Sequence, residues 1–251
     1  MIDHISHSQL SMWHRCPRQW EFRYVKGLKL PPSGPLVLGS CYHTTLEFNF
    51  KQKKSTMHDI SHADMQDTFS TAWSMKLSEE TEVDWRDDHP GEIKDMGIKL
   101  VTVYRNDISP SIQPMQVEQH YTSSIAGVTF VLILDLIDAT DTVIDHKTAG
   151  KSYNQADVDK DIQATAVAFV LKRPILFQNH VALKLKSPRI QIVDTYRTEE
   201  DIKWWYNMAE LDVKQMKTGI APPRPQGWHC SPKWCGYYDL CRKELTRKVF
   251  S

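Results

Sequence analysis

The residues best suited to chemistry sit in the stretch Val143-Ile144-Asp145-His146-Lys147-Thr148, just after the apolar run at 131–138. Both runs are rich in apolar and β-branched residues, so they read as neighbouring strands joined by Ala139-Thr140-Asp141-Thr142. Side chains two apart on a strand face the same way, which puts Asp145 and Lys147 on one face. A partner strand that brings Asp135 alongside makes two carboxylates and an ammonium converge. Two carboxylates hold a hard divalent cation such as Mg²⁺, and a lysine beside it orients or deprotonates a water. Asp138, Asp141 and Asp145 also fit the plainer description of polar residues at hairpin ends, and this stretch alone does not choose.

A second group is sulfur. Cys230, Cys235 and Cys241 fall within twelve residues of a chain that has five cysteines. Thiolates this close select Zn²⁺ or an iron–sulfur cluster, both usually four-coordinated by protein. Candidates for the fourth ligand are Cys16, placed before Pro17, and Cys41, while His229 suits zinc better than a cluster. Cys41, between Gly39 and His43, reads more as a small apolar core residue. Free thiols in a packed tail are the plain alternative, and the clustering argues against it. A metal joining Cys16 to the tail would tie the two ends of the chain together.

The elements that must position these groups follow from periodicity. Leu10, Trp13, Cys16, Trp20 and Tyr24 recur at helical spacing over 6–24, with a break expected after Cys16 because Pro17 follows. Helices are expected over 36–50, with Gly39, His43 and Glu47 on one face, over 61–77, and over 90–108. The period then changes to two, predicting an antiparallel meander over 116–125, 128–138 and 142–147. One helix over 155–171, two strands over 177–186 and 189–197, and a long amphipathic helix over 198–217 complete the core. The segment 221–228 is Pro-rich and extended. The expected class is α/β: a single domain over 1–251 with a mainly helical part (1–110), a sheet core carrying the site (111–197), and a helix plus cysteine tail (198–251).

Composition bounds the rest. With 251 residues, 41% apolar and 25% charged, the chain is ample for a globular core. It has no apolar run of membrane-spanning length, and no cationic-then-apolar leader, so a cytoplasmic protein with reduced thiols is expected. Net charge is zero but unevenly spread. Between Glu79 and Asp95 eight acidic residues face two basic ones; between Lys214 and Lys248 eight basic residues face two acidic ones. A basic tail suits phosphates, and a solvated surface of uneven charge is the plainer account.

In order, Ser8-Gln9-Leu10 with Cys16-Pro17, Gly39 with His43, Asp135, Asp145-His146-Lys147, Gln163 and the three tail cysteines resemble the PD-(D/E)XK nuclease superfamily. The resemblance is to its RecB-like branch with an iron–sulfur cluster, as in CRISPR-associated and phage RecB-like exonucleases and the AddB nuclease domain. It implies a restriction-endonuclease-like mixed sheet flanked by helices. It implies Mn²⁺ or Mg²⁺ held by His43, Asp135, Asp145 and the backbone carbonyl of His146, an imidazole favouring Mn²⁺. Lys147 would orient the attacking water, Gln163 would hold Lys147 or the phosphate, and Glu118 occupies a position where such proteins often carry a glutamate. Cys16, Cys230, Cys235 and Cys241 would ligate the cluster, of 4Fe-4S type in preference to Zn²⁺, leaving Cys41 out. The expected substrate is DNA, single-stranded or with free ends, with no membrane. The setting would be recombination, repair or CRISPR adaptation, including a phage protein acting in a host cytoplasm. The other class of function is a non-catalytic, cluster- or zinc-bearing DNA-binding protein on the same fold. Leu132 stands where the family usually has glycine, Val167 where it often has tyrosine, and the Cys230–Cys235 spacing is two residues wider than the common form.

Overall fold

In the computed structural model, which describes residues 2–249, local sequence decides most element ends. Met1 and the last two residues of the expected tail segment, Phe250 and Ser251, lie outside that range. A short strand β1 (His4–Ser6), absent from the sequence expectation, leads into α1 (His7–Arg15). The Ser6 hydroxyl caps α1 by accepting from the Gln9 N–H. Pro17 then forces the break: Cys16 is extended (φ −164°, ψ 109°), and the chain restarts as α2 (Pro17–Trp20) and a π-helical turn (Glu21–Val25). The helical region continues with α3 (Gly34–Thr56), α4 (His62–Glu79) and α5 (Pro90–Asp107), and a 3₁₀ turn follows. Pro at the first turn opens α3 and α5, and Ser61 caps α4.

The strands are β2 (Pro114–Ile125), β3 (Val128–Asp138), β4 (Val143–Ala149), β5 (Ile175–Leu183) and β6 (Arg189–Arg197). They form a mixed sheet in the order β1-β3-β4-β5-β6, with β2 also paired to β3. β3 and β4 are antiparallel with Leu136 opposite Ile144, and β4 and β5 are parallel with Asp145 beside Asn179. β5 and β6 are antiparallel throughout. A mixed sheet with helices before it, within it and after it is the α/β class expected from the sequence.

The single helix expected over 155–171 is two, α6 (Gln155–Asp159) and α7 (Ile162–Leu171). Buried Arg197 explains the break, because its guanidinium donates to the carbonyls of Val158, Asp159 and Asp161 at 3.2, 3.1 and 2.9 Å. Asp161, freed from the helix, caps α7 by accepting from the Gln163 N–H at 2.8 Å. α8 (Glu199–Lys217) matches the amphipathic pattern, and α9 (Tyr238–Val249) is a helix that the cysteine-dense reading of the tail did not anticipate.

The chain divides into two compact units. One comprises Pro31–His120 and Ile133–Ile202; the other comprises Met1–Leu30, Tyr121–Leu132 and Lys203–Ser251. The core of the first packs α3, α4 and α5 on the sheet through Leu46, Phe50, Phe69, Leu100, Leu136 and Ile144. Gly97 is required there: a Cβ at that position would lie 2.0 Å from the Phe69 ring. In the other unit, Trp13 and Trp20 meet edge-to-face at 5.2 Å, Trp205 packs on Phe130, and Phe22 packs with Cys235 and Tyr237.

Candidate functional site

Four elements of the first unit meet at Asp135. β3 supplies Asp135 one residue before the Leu136–Ile144 pair, which sets it next to Asp145 on β4. Its Oδ2 accepts the backbone N–H of His146 at 2.8 Å and lies 3.3 Å from His43 Nδ1 on α3. Gly39 of α3 faces β4, where a Cβ would meet Thr148 Oγ1 at 3.4 Å. Glu118 on β2 completes a group with His43 and Asp135 in which one ligand atom from each lies within 4.8 Å of the others. Its backbone has φ +47°, a left-handed conformation that a non-glycine residue holds at a cost of about 1–2 kcal/mol. A strained glutamate inside a strand marks a site more sharply than any spacing in the sequence does.

Beside this group Asp145 has two close neighbours. Its Oδ2 pairs with Lys147 Nζ at 2.8 Å and its Oδ1 accepts from Gln163 Nε2 at 2.6 Å. Lys147 also donates to Gln163 Oε1 at 2.7 Å, closing a three-membered ring of charge-assisted bonds. The cap at Asp161 fixes Gln163 at the start of α7, so the ring is held from both β4 and α7. Asn179, paired with Asp145 in the β4–β5 register, is buried, and neither of its amide atoms has a hydrogen-bond partner among the described residues.

The carboxylates differ in how readily they ionise. For Asp135 burial opposes the charge, but hydrogen bonds from His146 and the nearby imidazoles prevail and hold it at about 2. Burial pushes Glu118 up to about 7, with the charges of Asp135 and Glu47 adding to the shift. Burial also raises Asp145, an effect that Lys147 tempers. Lys147 resists its own desolvation because Asp145 and Asp135 stabilise its charge, and its pKa is raised. A crowded oxygen set that resists full ionisation, with an imidazole at its edge, suits a divalent cation, which would relieve the repulsion.

Behind the group, His146 is clamped. Phe50 stacks on its ring at 5.8 Å, and the Tyr104 hydroxyl stands between His146 Nε2 (3.0 Å) and His180 Nδ1 (2.9 Å). The expected ligand His146 thus meets Asp135 through its backbone N–H and, at 3.6 Å, through its ring Nδ1, while Nε2 enters this buried chain.

The expected residues His43, Asp135, Asp145, Lys147 and Gln163 come together. His43 and Asp135 form a tight group with Glu118, and Asp145 lies beside it, its Oδ1 accepting from Gln163 and its Oδ2 ion-paired with Lys147 but without a hydrogen-bond partner among the described residues. Val167 is buried in α7, so no side chain there contacts a substrate. Asn179 is the residue that sequence reading missed; its only signal was the polar run Gln178-Asn179-His180 inside a strand with apolar ends.

The sulfur site lies within the other unit. Cys16, Cys230, Cys235 and Cys241 line one cavity, together with Gln19 and His229. None of the cysteines is in a disulfide. Gln19 Nε2 donates to Cys235 Sγ at 3.1 Å. Burial raises the Cys241 thiol; Arg18 draws it down, and Cys16, Cys230 and Cys235 push it back up. The four sulfurs are therefore electrostatic neighbours. Yet among the described residues no three of these ligand atoms lie within 4.8 Å of one another. A closed tetrahedral zinc site holds its sulfurs ~3.8 Å apart, given Zn–S bonds of about 2.3 Å. Cys41 is elsewhere, in the core of the first unit, where burial pushes its thiol up to about 11.

A family profile for the PD-(D/E)XK nuclease superfamily matches residues 4–242. No curated protein matches. Among solved structures, one from Eubacterium rectale described as a "Putative exonuclease" superposes with a TM-score of 0.60 at 10% identity, over 91% of this chain and 87% of that one. That likeness supports the fold. A second structure, at 12% identity over 92% of this chain and 95% of the other, reaches a TM-score of 0.37, too low to carry an argument. No helix among the described residues is long and apolar enough to cross a membrane.

Proposed function

The chain belongs to the PD-(D/E)XK nuclease superfamily, and from that premise we infer that it is a metal-dependent DNA exonuclease hydrolysing phosphodiester bonds of single strands or DNA ends. The observation that carries the reading is the convergence of His43, Glu118 and Asp135 beside the Asp145–Lys147–Gln163 ring. Mn²⁺ or Mg²⁺ held by His43, Asp135 and Glu118, with Asp145 and the His146 carbonyl completing the set, would polarise a phosphate oxygen and acidify a bound water. Lys147 orients the attacking water and offsets the charge that builds on the phosphate. Gln163 keeps Lys147 aimed by accepting a hydrogen bond from its ammonium, and it anchors Asp145 by donating from its Nε2. His146, clamped by Phe50 and Tyr104, keeps the Asp135 carboxylate turned toward the ligand group. Cys16, Cys230, Cys235 and Cys241 hold an iron–sulfur cluster whose role is structural.

Lys147→Ala tests the assignment. Mn²⁺-dependent degradation of single-stranded DNA should fall roughly a thousandfold, the scale of losing a positioned proton-transfer or charge-stabilising group. Undiminished degradation by a folded Lys147→Ala protein removes Lys147 from the chemistry. Wild-type protein that binds DNA but never cleaves it, in Mn²⁺ or Mg²⁺, would favour a non-catalytic DNA-binding protein. Cluster identity is read separately: a broad visible absorbance with stoichiometric iron supports it, and stoichiometric zinc without colour overturns it.

A further inference from the structure

Two tryptophans of the cysteine-bearing unit are turned largely to solvent. Trp228 is 74% exposed and Trp234 is 52% exposed. Their rings meet edge-to-face at 5.8 Å and 84°, so they are ordered against each other on the surface. The His229 ring braces Trp228 at 6.0 Å, and Lys233 Nζ lies 5.1 Å from the centre of the Trp234 ring.

The backbone beneath them is fixed. The Cys230 N–H donates to Gly227 O at 2.9 Å, and Trp234 and Cys235 both donate to Ser231 O, at 3.1 and 2.9 Å. Cys235 itself is buried, with Gln19 on its sulfur. Each tryptophan is thus carried by a turn anchored one or two residues away by a buried or cavity-lining cysteine. Indoles are among the largest apolar groups a chain has, and holding two of them rigid in water forgoes the gain of burying them.

The charge around them selects the occupant. The segment from Lys214 to Lys248 has eight basic residues and two acidic ones. Of those two, Glu244 is already engaged by Arg18 and by Lys26, the latter at 3.0 Å. Arg224, Lys233 and Arg242 are exposed. An exposed aromatic pair with a lysine beside it, in a segment this rich in basic residues, matches a chain of stacked planar bases on a phosphate backbone.

We propose that Trp228 and Trp234, with Lys233 between them in sequence, form a stacking platform for unpaired bases of single-stranded DNA. The platform deepens the nuclease reading and rests on it for the identity of the ligand. Stacking reads the face that all bases share, so the site takes single strands with little sequence preference, and Lys233 supplies a phosphate contact that salt weakens.

The test uses cluster-loaded full-length protein in EDTA, so that the strand is bound and not cut, with a fluorescein-labelled oligothymidylate as probe. Trp228→Ala should weaken binding at least tenfold, Trp228→Phe should recover most of the loss, and Lys233→Ala should flatten the salt dependence. Visible absorbance and thermal midpoint report that each variant is folded and loaded. In parallel, Mn²⁺-dependent hydrolysis of bis(p-nitrophenyl) phosphate, too small to use the platform, should be the same in wild type and Trp228→Ala. Folded Trp228→Ala and Trp234→Ala proteins that bind oligothymidylate like wild type overturn the platform and leave the nuclease reading standing. Wild type that hydrolyses the small diester but does not bind oligothymidylate also overturns the platform alone. Loss of both activities in wild type overturns both.

Discussion

The carboxylate site and the cysteine site are built on opposite principles. Around Asp135 the side chains are held by one another and by regular elements: strand register, the Asp161 cap, the Lys147–Gln163–Asp145 ring and the Tyr104 clamp behind His146. The cysteine site has two short helical pieces on one side and a run of turns leading into α9 on the other, joined by Gln19 to Cys235, Tyr237 to the Leu28 carbonyl, Arg18 and Lys26 to Glu244, and Arg224 to the His14 carbonyl. Where turns and loops supply most of the scaffolding, metal ligation contributes stability directly. On the proposed reading, one site would use its metal for chemistry and the other for folding.

The largest effect should come from breaking that division of labour at the sulfur end. Cys235→Ser, or oxidative loss of the cluster, should expose the segment from Ile220 to Val249 to protease and lower the thermal midpoint by ten degrees or more, because ligation at such sites is worth several kcal/mol. EDTA treatment, which strips only the carboxylate site, should shift the midpoint by no more than the mass-action term of a few kcal/mol at saturating Mn²⁺. Equal destabilisation by the two treatments would show that the cysteine end is self-supporting and the comparison wrong.

The same contrast explains how much was legible in the sequence. The strand pair around Asp135, Asp145 and Lys147 was readable because a period of two fixes which residues share a face. β3 falls on the expected 128–138. Cys16 at a chain break was readable because proline restricts the residue before it. The split of 155–171 into two helices was not, since its cause is Arg197, a residue more than twenty-five positions away in the sequence that competes for the carbonyls. β1 and α9 were missed for a related reason: three residues show no period, and a helix carrying a cavity-lining cysteine on one face hides its amphipathic pattern. Glu118 was noticed by position alone, and only its backbone conformation and its distance to His43 and Asp135 give it a place among the ligands.

A smaller effect sharpens the claim that the carboxylate site is self-supported. His180 is 1% exposed, and burial, with the His146 ring adding, pushes it down to about 3. With Tyr104 at Nδ1 and Gln178 at Nε2 3.1 Å away, it sits as the neutral ring. Its folded pKa is therefore below the unfolded value of about 6.5, and the unfolded chain binds the extra proton between the two. The stability it contributes is complete above pH 6.5 and is lost as pH falls from there toward 3. By pH 5 the loss should be about 2 kcal/mol at most. Urea unfolding of metal-free protein at pH 8 and pH 5 measures it, and His180→Gln should remove that part of the slope. An unaltered slope in the variant would mean that other groups carry the acid sensitivity.

The smallest effect concerns the cysteine that stands on the wrong side of the comparison. Cys41 is 1% exposed in the helical core beside Val37, Leu38 and Tyr42, and its pKa near 11 leaves about one thiol in three thousand ionised at pH 7.5. It can serve neither as a ligand nor as a nucleophile while the first unit is folded. Cys41→Ala should cost about 1 kcal/mol of stability and leave the visible absorbance unchanged. Iodoacetamide applied after cluster loss should label Cys16, Cys230, Cys235 and Cys241 but not Cys41, with Cys41 labelled only in urea. If Cys41 is alkylated as fast as the other four in native buffer, then the first unit opens when the cluster goes. The carboxylate site would in that case owe its order to the sulfur site after all.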